Sequence, residues 1–249
     1  MVARTLQELE GLRRASAVTA RLLRELVTQA RPGVTTGELN DYALRFIEKV
    51  GGEPVFYTQN RFPGAINTSI NYEAVHGVPG PRRLVAGDLL KIDCGLGLNG
   101  YCGDTTTTIV VGGDSFGHLG LTLVLDTARE ALRVGIDAAR VGGRIGDIGH
   151  AMEMYVQRQG LRLLPQFSGH GIGSRLWEPP SVPAVGRAGF GPRIVDGLAI
   201  TIEPIVTSGS GGVHVADDGW TVRTDDGAPA AQFEHTVIAT RRGPIVLTA

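Results

Sequence analysis

One order of segments, repeated twice along the chain, most limits what it can fold into: two helix-period runs, then strands rich in β-branched residues. From Thr5 to Ala30, Leu6, Leu9, Leu12, Val18, Leu22 and Leu26 fall at helical spacing, and Pro32-Gly33 stops the run. Thr36 is expected to cap a second helix carrying Leu39, Tyr42, Ala43 and Phe46. Past Gly51 and Gly52 the chain is expected to turn to loops and strands, with "LLKIDCGL" and "TTTTIVVG" the clearest strands. Two more helices are expected, one from about Gly120 ("LTLVLDTAREALRVGIDAA") and one in "RIGDIGHAMEMYVQRQG". Strand signals return in "GLAITIEPIV", "GWTVRT", "AQFEHTVIAT" and "GPIVLTA". The two halves, about 1–115 and 116–249, share the order without close sequence identity, and no low-complexity linker parts them. The expectation is one α+β domain over 1–249 with pseudo-twofold symmetry, its mainly antiparallel sheet covered by helices on one face.

Acids sit inside those strands. Asp93 ends "LLKID", Asp104 lies in "GYCGDTTTT", Glu203 in "AITIEPI" and Glu234 in "AQFEHTV". A carboxylate buried in a sheet is costly unless a charge or a metal compensates it. Any one of the four, taken alone, reads as a surface or ion-paired acid. Together with His170 in the glycine turn "GHGIG" they form a hard, oxygen-rich ligand set suited to two divalent ions. No cysteine belongs to it, which argues against a structural zinc site.

The remaining composition narrows the class. Net charge is -1 with 42% apolar residues, so no basic footprint for nucleic acid or an acidic membrane surface is present. No apolar run approaches the ~18 residues of a membrane span. The opening "MVARTLQELEGLRR" lacks an apolar core, so a signal peptide is not expected and the cytoplasm is the default. Cys94 and Cys102 are too few for a disulfide framework and read as ordinary thiols. His118, His150, His214 and His235 receive no catalytic role. His235 in particular points to the opposite face of its strand from Glu234.

These segments resemble the methionine aminopeptidases of the pita-bread metallohydrolase family, type 1. The resemblance rests on "NYEAVHGVP", "KIDCGLGLNGYCGDTTTTIVVG" with its two aspartates eleven residues apart, "GHGIG", "TIEP" and "DDGWTVRTDDGAPAAQFEHTV". It covers nearly the whole chain and implies a pita-bread fold around a central dinuclear metal site. It implies that Asp93 chelates one ion, Asp104 and Glu234 bridge both, and His170 and Glu203 hold the second. The two divalent ions (Co, Mn, Fe or Zn) would activate a water for attack on a peptide carbonyl, with Glu203 as general base. His76 would contact the substrate amide or the departing nitrogen, and Phe62 and Trp220 would line the pocket for the first side chain. Peptide or nascent-protein N-termini are the implied partners, and a monomer the implied state.

The chain departs from the family pattern at two places. The pattern H-G-I-G-x-x-x-H-E-x-P places a second histidine where this chain has Trp177, followed by the expected Glu178. That histidine contacts the substrate carbonyl, and losing one such donor costs about 10²–10³ in rate. The segment "YTQNRFPGAINTSIN" keeps Phe62, Pro63 and Asn71 but has Asn67 where a small thiol is usual. The leading reading is therefore removal of N-terminal methionine. The alternatives are another N-terminal residue or small amide as substrate, and a non-catalytic binding protein on the same fold. A prolidase or creatinase fits less well, because the large extra N-terminal domain of those relatives is not seen.

Overall fold

The computed structural model describes residues 1–113 and 119–249, so His118 lies outside the described residues. Helices α1 (Leu6–Gln29) and α2 (Thr36–Lys49) start with the same device. Thr5 and Thr35 each accept a hydrogen bond from the backbone N–H three residues on, and Glu8 and Glu38 reach back to the cap's own N–H. The second cap is thus Thr35 and not Thr36. Of the two adjacent threonines, Thr35 is the one with a glutamate three residues later, and that reciprocal pair decides the helix start.

A short helix α3 (Val55–Asn60) stands where only loops and strands were expected. Six residues are too few to show a helical period. It ends on Arg61 in a left-handed conformation, φ 60°. The second pair of helices is α4 (Leu119–Ala138) and α5 (Ile145–Arg158).

The main sheet has eight strands. Its order is β1 (Ile66–Ile70), β3 (Leu89–Leu98), β4 (Tyr101–Val110), β13 (Glu234–Thr240), β8 (Ala199–Ile202), β6 (Ser168–Gly171) and β7 (Glu178–Pro183), with β14 (Gly243–Val246) paired to β13. Two three-stranded sheets flank it: β10 (Val213–Val215), β11 (Val222–Thr224) and β2 (Glu73–Val75); and β12 (Ala230–Gln232), β9 (Ile205–Thr207) and β5 (Arg162–Leu163). All the described pairings between these strands are antiparallel. The mixed helix and antiparallel-sheet class is the expected one.

Alternation along the strands sends one set of side chains to the helices and the other to the site. Leu90, Ile92, Cys94 and Leu96 of β3 join Leu22, Leu26, Leu39 and Phe46 of α1 and α2 in one core. Ile200, Ile202, Val237 and Ala239 of β8 and β13 join Val124, Ala128, Ile148 and Met152 of α4 and α5 in another. Each fully buried leucine or isoleucine here contributes about 1.5–3 kcal/mol of transfer free energy. Asp93 and Glu234, out of phase with those residues, face the opposite side. His235 lies in phase with the core and its Nδ1 pairs with Thr248 Oγ1 at 2.9 Å. No described helix is long and apolar enough to cross a membrane.

Candidate active site

The strand registers bring the four acids together. Asp93 lies opposite Thr106 across β3 and β4, and Glu234 of β13 lies opposite the same Thr106. Asp104 sits two residues before Thr106, hence on the same face. His235 pairs with Ile202, so Glu203, one step beyond β8, falls beside Glu234. His170 reaches the group from β6, where its backbone N–H donates to Thr201 Oγ1 at 3.0 Å. Asp104, His170 and Glu234 each offer a ligand atom within 4.8 Å of the others'.

Glycine makes this approach possible. A Cβ on Gly169 would lie 2.3 Å from the Thr201 carbonyl oxygen, and one on Gly171 would lie 2.2 Å from that of Pro179. Both glycines therefore have backbone packed against the place where a side chain would stand, and His170 is held between them.

The donor set fits a divalent cation. His170 Nδ1–H donates to the Gly171 carbonyl at 3.0 Å, which leaves the Nε2 lone pair free. That Nε2 is 3.6 Å from Asp104 Oδ2 and 3.8 Å from Glu203 Oε1. Both separations exceed a hydrogen bond and suit donors ranged about one ion at ~2.1 Å. Asp93 Oδ1 and Asp104 Oδ1 are buried with no hydrogen-bond partner, which for ionised carboxylates requires a cation.

The remaining oxygens are held by polar side chains. Thr106 Oγ1 donates to Glu234 Oε2 at 2.7 Å, and Thr201 Oγ1 to Glu203 Oε1 at 3.1 Å. Gln232 Nε2 donates to Glu203 Oε2 at 3.4 Å. The sequence reading missed these three groups. A usable signal was present: Thr201 and Gln232 each stand two residues before an acid, and Thr106 two after one, the spacing of one strand face.

Without a bound ion, burial drives all four carboxyls toward the neutral form. Asp104 and Glu203 are each pushed up to about 8, by burial first, with the neighbouring acids adding to the rise at Glu203. Asp93 and Glu234 are raised well above the usual carboxylate range, again by burial first and then by the Asp104 charge. The same burial lowers His170 and His76, keeping both imidazoles neutral. A neutral imidazole is the form that ligates a metal.

These groups line a cavity of about 310 Å³ that also contains Phe62, His76, Trp177 and Trp220. All nine residues singled out in the sequence border it. Phe62 is buried and meets Trp220 edge to face at 5.4 Å between ring centroids. His76 sits in a left-handed conformation, φ 56°, with Phe167 edge-on at 6.0 Å. Trp177 is 50% exposed and stands edge-on to His170 at 6.0 Å. Asn67, opposite Asp93 on β1, is buried with Oδ1 unpaired. Phe56, Asn60, Gln166, Phe167 and Ser168 also border the cavity without having been foreseen. Two other histidines lie elsewhere: His150 in α5, and His214, whose Nδ1 is 2.7 Å from Asp225 Oδ1 on the surface.

Comparison with known proteins agrees with this geometry. The profile of metallopeptidase family M24 matches residues 10–241. Over 248 residues the chain is 40% identical to methionine aminopeptidase 1 of Bacillus subtilis (strain 168), covering 100% of this chain and 99% of that protein. It is 39% identical over 242 residues to the methionine aminopeptidase of Clostridium acetobutylicum, covering 97% and 96%. The crystal structure of methionine aminopeptidase from Rickettsia prowazekii superposes with a TM-score of 0.95 at 32% identity, covering 100% of both chains. A prolidase from Pyrococcus furiosus, 21% identical with a TM-score of 0.78 and 65% of its own length covered, shares the fold alone. A buried cluster of acids and one neutral imidazole, on the concave side of a sheet superposable on those enzymes, has one reading: the chain belongs to metallopeptidase family M24.

Proposed function

We propose that this chain removes methionine from the N-termini of peptides and nascent proteins, as a cytoplasmic monomer. The observation that carries the reading is the pair of buried, unpartnered oxygens on Asp93 and Asp104, set in a chain 40% identical to a methionine aminopeptidase. Asp93 would hold one divalent ion, Asp104 and Glu234 would bridge two, and His170 and Glu203 would hold the second. When bound, such ions supply polarisation of the peptide carbonyl and a water ionised near neutral pH. Residues 1–249 act as one unit in this reading, since the first half contributes Asp93 and Asp104 and the second contributes the other three.

The protein's own groups supply the rest. Glu203 Oε1 is fixed by Thr201, so Oε2, more loosely held by Gln232, is the atom that takes the proton from the attacking water. Its proton then passes to the departing amine. His76, kept neutral by burial, donates to the substrate amide and orients it. Phe62 and Trp220 enclose the apolar first side chain at one end of the cavity. Trp177 stands where the family pattern has a second histidine and presents only an indole N–H.

A second reading has its own support. Asn67 brings an unpaired carbonyl oxygen to the cavity wall, and an unpaired buried acceptor favours a ligand able to donate to it. That favours a first residue other than methionine.

Release of the first residue from Met-Ala, Gln-Ala and Ser-Ala peptides, with Mn or Co added, separates the two. Methionine release that falls at least 10²-fold in Glu203→Gln supports the main reading. Preferred release of a polar residue supports the second, and no release from any peptide overturns both.

A further inference from the structure

The indole of Trp177 walls two adjoining hollows. One is the inner cavity with the carboxylates; the other is a depression of about 510 Å³ lined by Gln59, Ser174, Arg175 and Leu176. The rim that carries it is held in place by its own bonds. Leu176 is buried and its N–H donates to Gln59 Oε1 at 2.9 Å. The Arg175 N–H and the Ser174 hydroxyl donate to Glu178 Oε1 at 3.1 and 3.2 Å, and the Gly173 carbonyl accepts from the Cys102 N–H at 2.7 Å. Such a rim loses little freedom when a ligand lies on it.

Its charge is unbalanced. The other oxygen of Glu178 is ion-paired with the Met1 amino group at 2.9 Å, so the acid nearest in sequence to Arg175 is already engaged. The Arg175 guanidinium is exposed and, among the described residues, has neither an ion pair nor a hydrogen bond. Elsewhere on the cavity wall, Gln166 Nε2 donates to the Gly211 carbonyl at 3.3 Å and Ser168 Oγ accepts from Ser181 Oγ at 3.0 Å, and neither residue carries a charge.

We infer that the peptide downstream of the scissile bond leaves the cavity across Trp177 and lies in this depression, with an acidic side chain at the third or fourth residue facing Arg175. Two residues of extended chain cover ~7 Å, enough to pass the 6.0 Å between the His170 and Trp177 rings. The inference rests on the aminopeptidase reading and adds a preference within its substrates: sequences of the form Met-small-x-acid over Met-small-x-base.

The test compares kcat/KM for Met-Ala-Gly-Glu-Gly, Met-Ala-Gly-Lys-Gly and their counterparts with the charge at the third residue. It uses wild type and Arg175→Glu, at low and high salt. In wild type the acidic peptides are expected to win by about two- to five-fold, mostly through KM. The advantage shrinks as salt rises, and it inverts in Arg175→Glu. Because each ratio is taken within one protein sample, partial misfolding of the variant cancels. A wild-type ratio of one, or a ratio unchanged in Arg175→Glu, places the exit elsewhere and overturns the inference. If no methionyl peptide is cleaved, the aminopeptidase reading fails by itself. Calorimetric affinities of the same peptides for the metal-loaded protein then decide the subsite, by whether the acidic preference is present and inverts.

Discussion

Single hydroxyls and one ring set the character of the site. Thr106 Oγ1 is the only described group hydrogen-bonded to Glu234 Oε2, and it lies between Glu234 and Asp93 in the strand register. Thr106→Val keeps the shape and removes that donor, leaving the carboxylate proposed to hold metal free to rotate. Metal affinity is expected to fall about 10–100-fold with little change in global stability. Titration calorimetry with Mn reads this directly, and an unchanged affinity would mean that packing alone orients Glu234. Trp177 raises a different question, since indole donates one hydrogen bond and cannot be protonated. Trp177→His is expected to raise kcat on a Met-Ala peptide about tenfold or more, within the 10²–10³ one oxyanion donor is worth. No gain in kcat would place the stabilising donor elsewhere in the cavity, with His76 the first candidate.

At the scale of elements, what the sequence disclosed depended on how local the signal was. Asp93, Asp104, Glu203 and Glu234 were legible because an acid inside an apolar strand breaks the local pattern, and His170 because glycines flank it. The helices α1, α2, α4 and α5 are long enough for a period to show. The short α3 was not, and Phe56 and Asn60 on it were missed with it. Phe167 and Ser168 were missed for another reason: nothing near them in sequence says that β6 will pair with β8 beside the acids. Register between distant strands is set by tertiary packing, and Gly103 shows how closely. A Cβ there would stand 2.6 Å from Ser16 Cα, in the backbone of α1. Gly103→Ala therefore has to push α1 away from β4, at an expected cost of about 1–3 kcal/mol. Urea unfolding would register this as a lower midpoint at unchanged slope. The neighbouring Asp104 moves with the strand, so metal affinity falls as well. A midpoint equal to wild type would mean that the helix yields freely.

For the molecule as a whole, the two cores built on the helices pack against one side of the sheet and the acids gather on the other, so a single buried acidic cluster draws on both halves. The titration of that cluster makes stability depend on pH in a direction that can be worked out. In the metal-free protein Asp104 and Glu203 titrate at about 8, and Asp93 and Glu234 are raised well above their ordinary values. In the unfolded chain all four titrate near ~4. Between those limits the folded state holds protons that the unfolded state lacks. Stability from this source is complete below ~4 and is lost as pH rises through about 8. Two sets of groups act the other way. His76, His170 and His235 are lowered by burial, so their contribution is lost as pH falls below ~6.5. Lys91, pushed down to about 7 by burial, favours the folded state as pH rises above that value, one group against four. The imidazoles act only below ~6.5 and Lys91 only above about 7, so the four acids outweigh each set in turn. Protein kept in a chelator is therefore expected to show a melting temperature highest near about pH 4–5 that declines as pH rises through about 8. A divalent ion held by these acids, as proposed, would displace those protons, so adding Mn is expected to release protons into the buffer and to remove the alkaline decline. Scanning calorimetry across this range, with and without Mn, measures both. A metal-free profile as flat as the metal-loaded one would mean that the acids do not form a coupled buried cluster, and the metal assignment would fall with it.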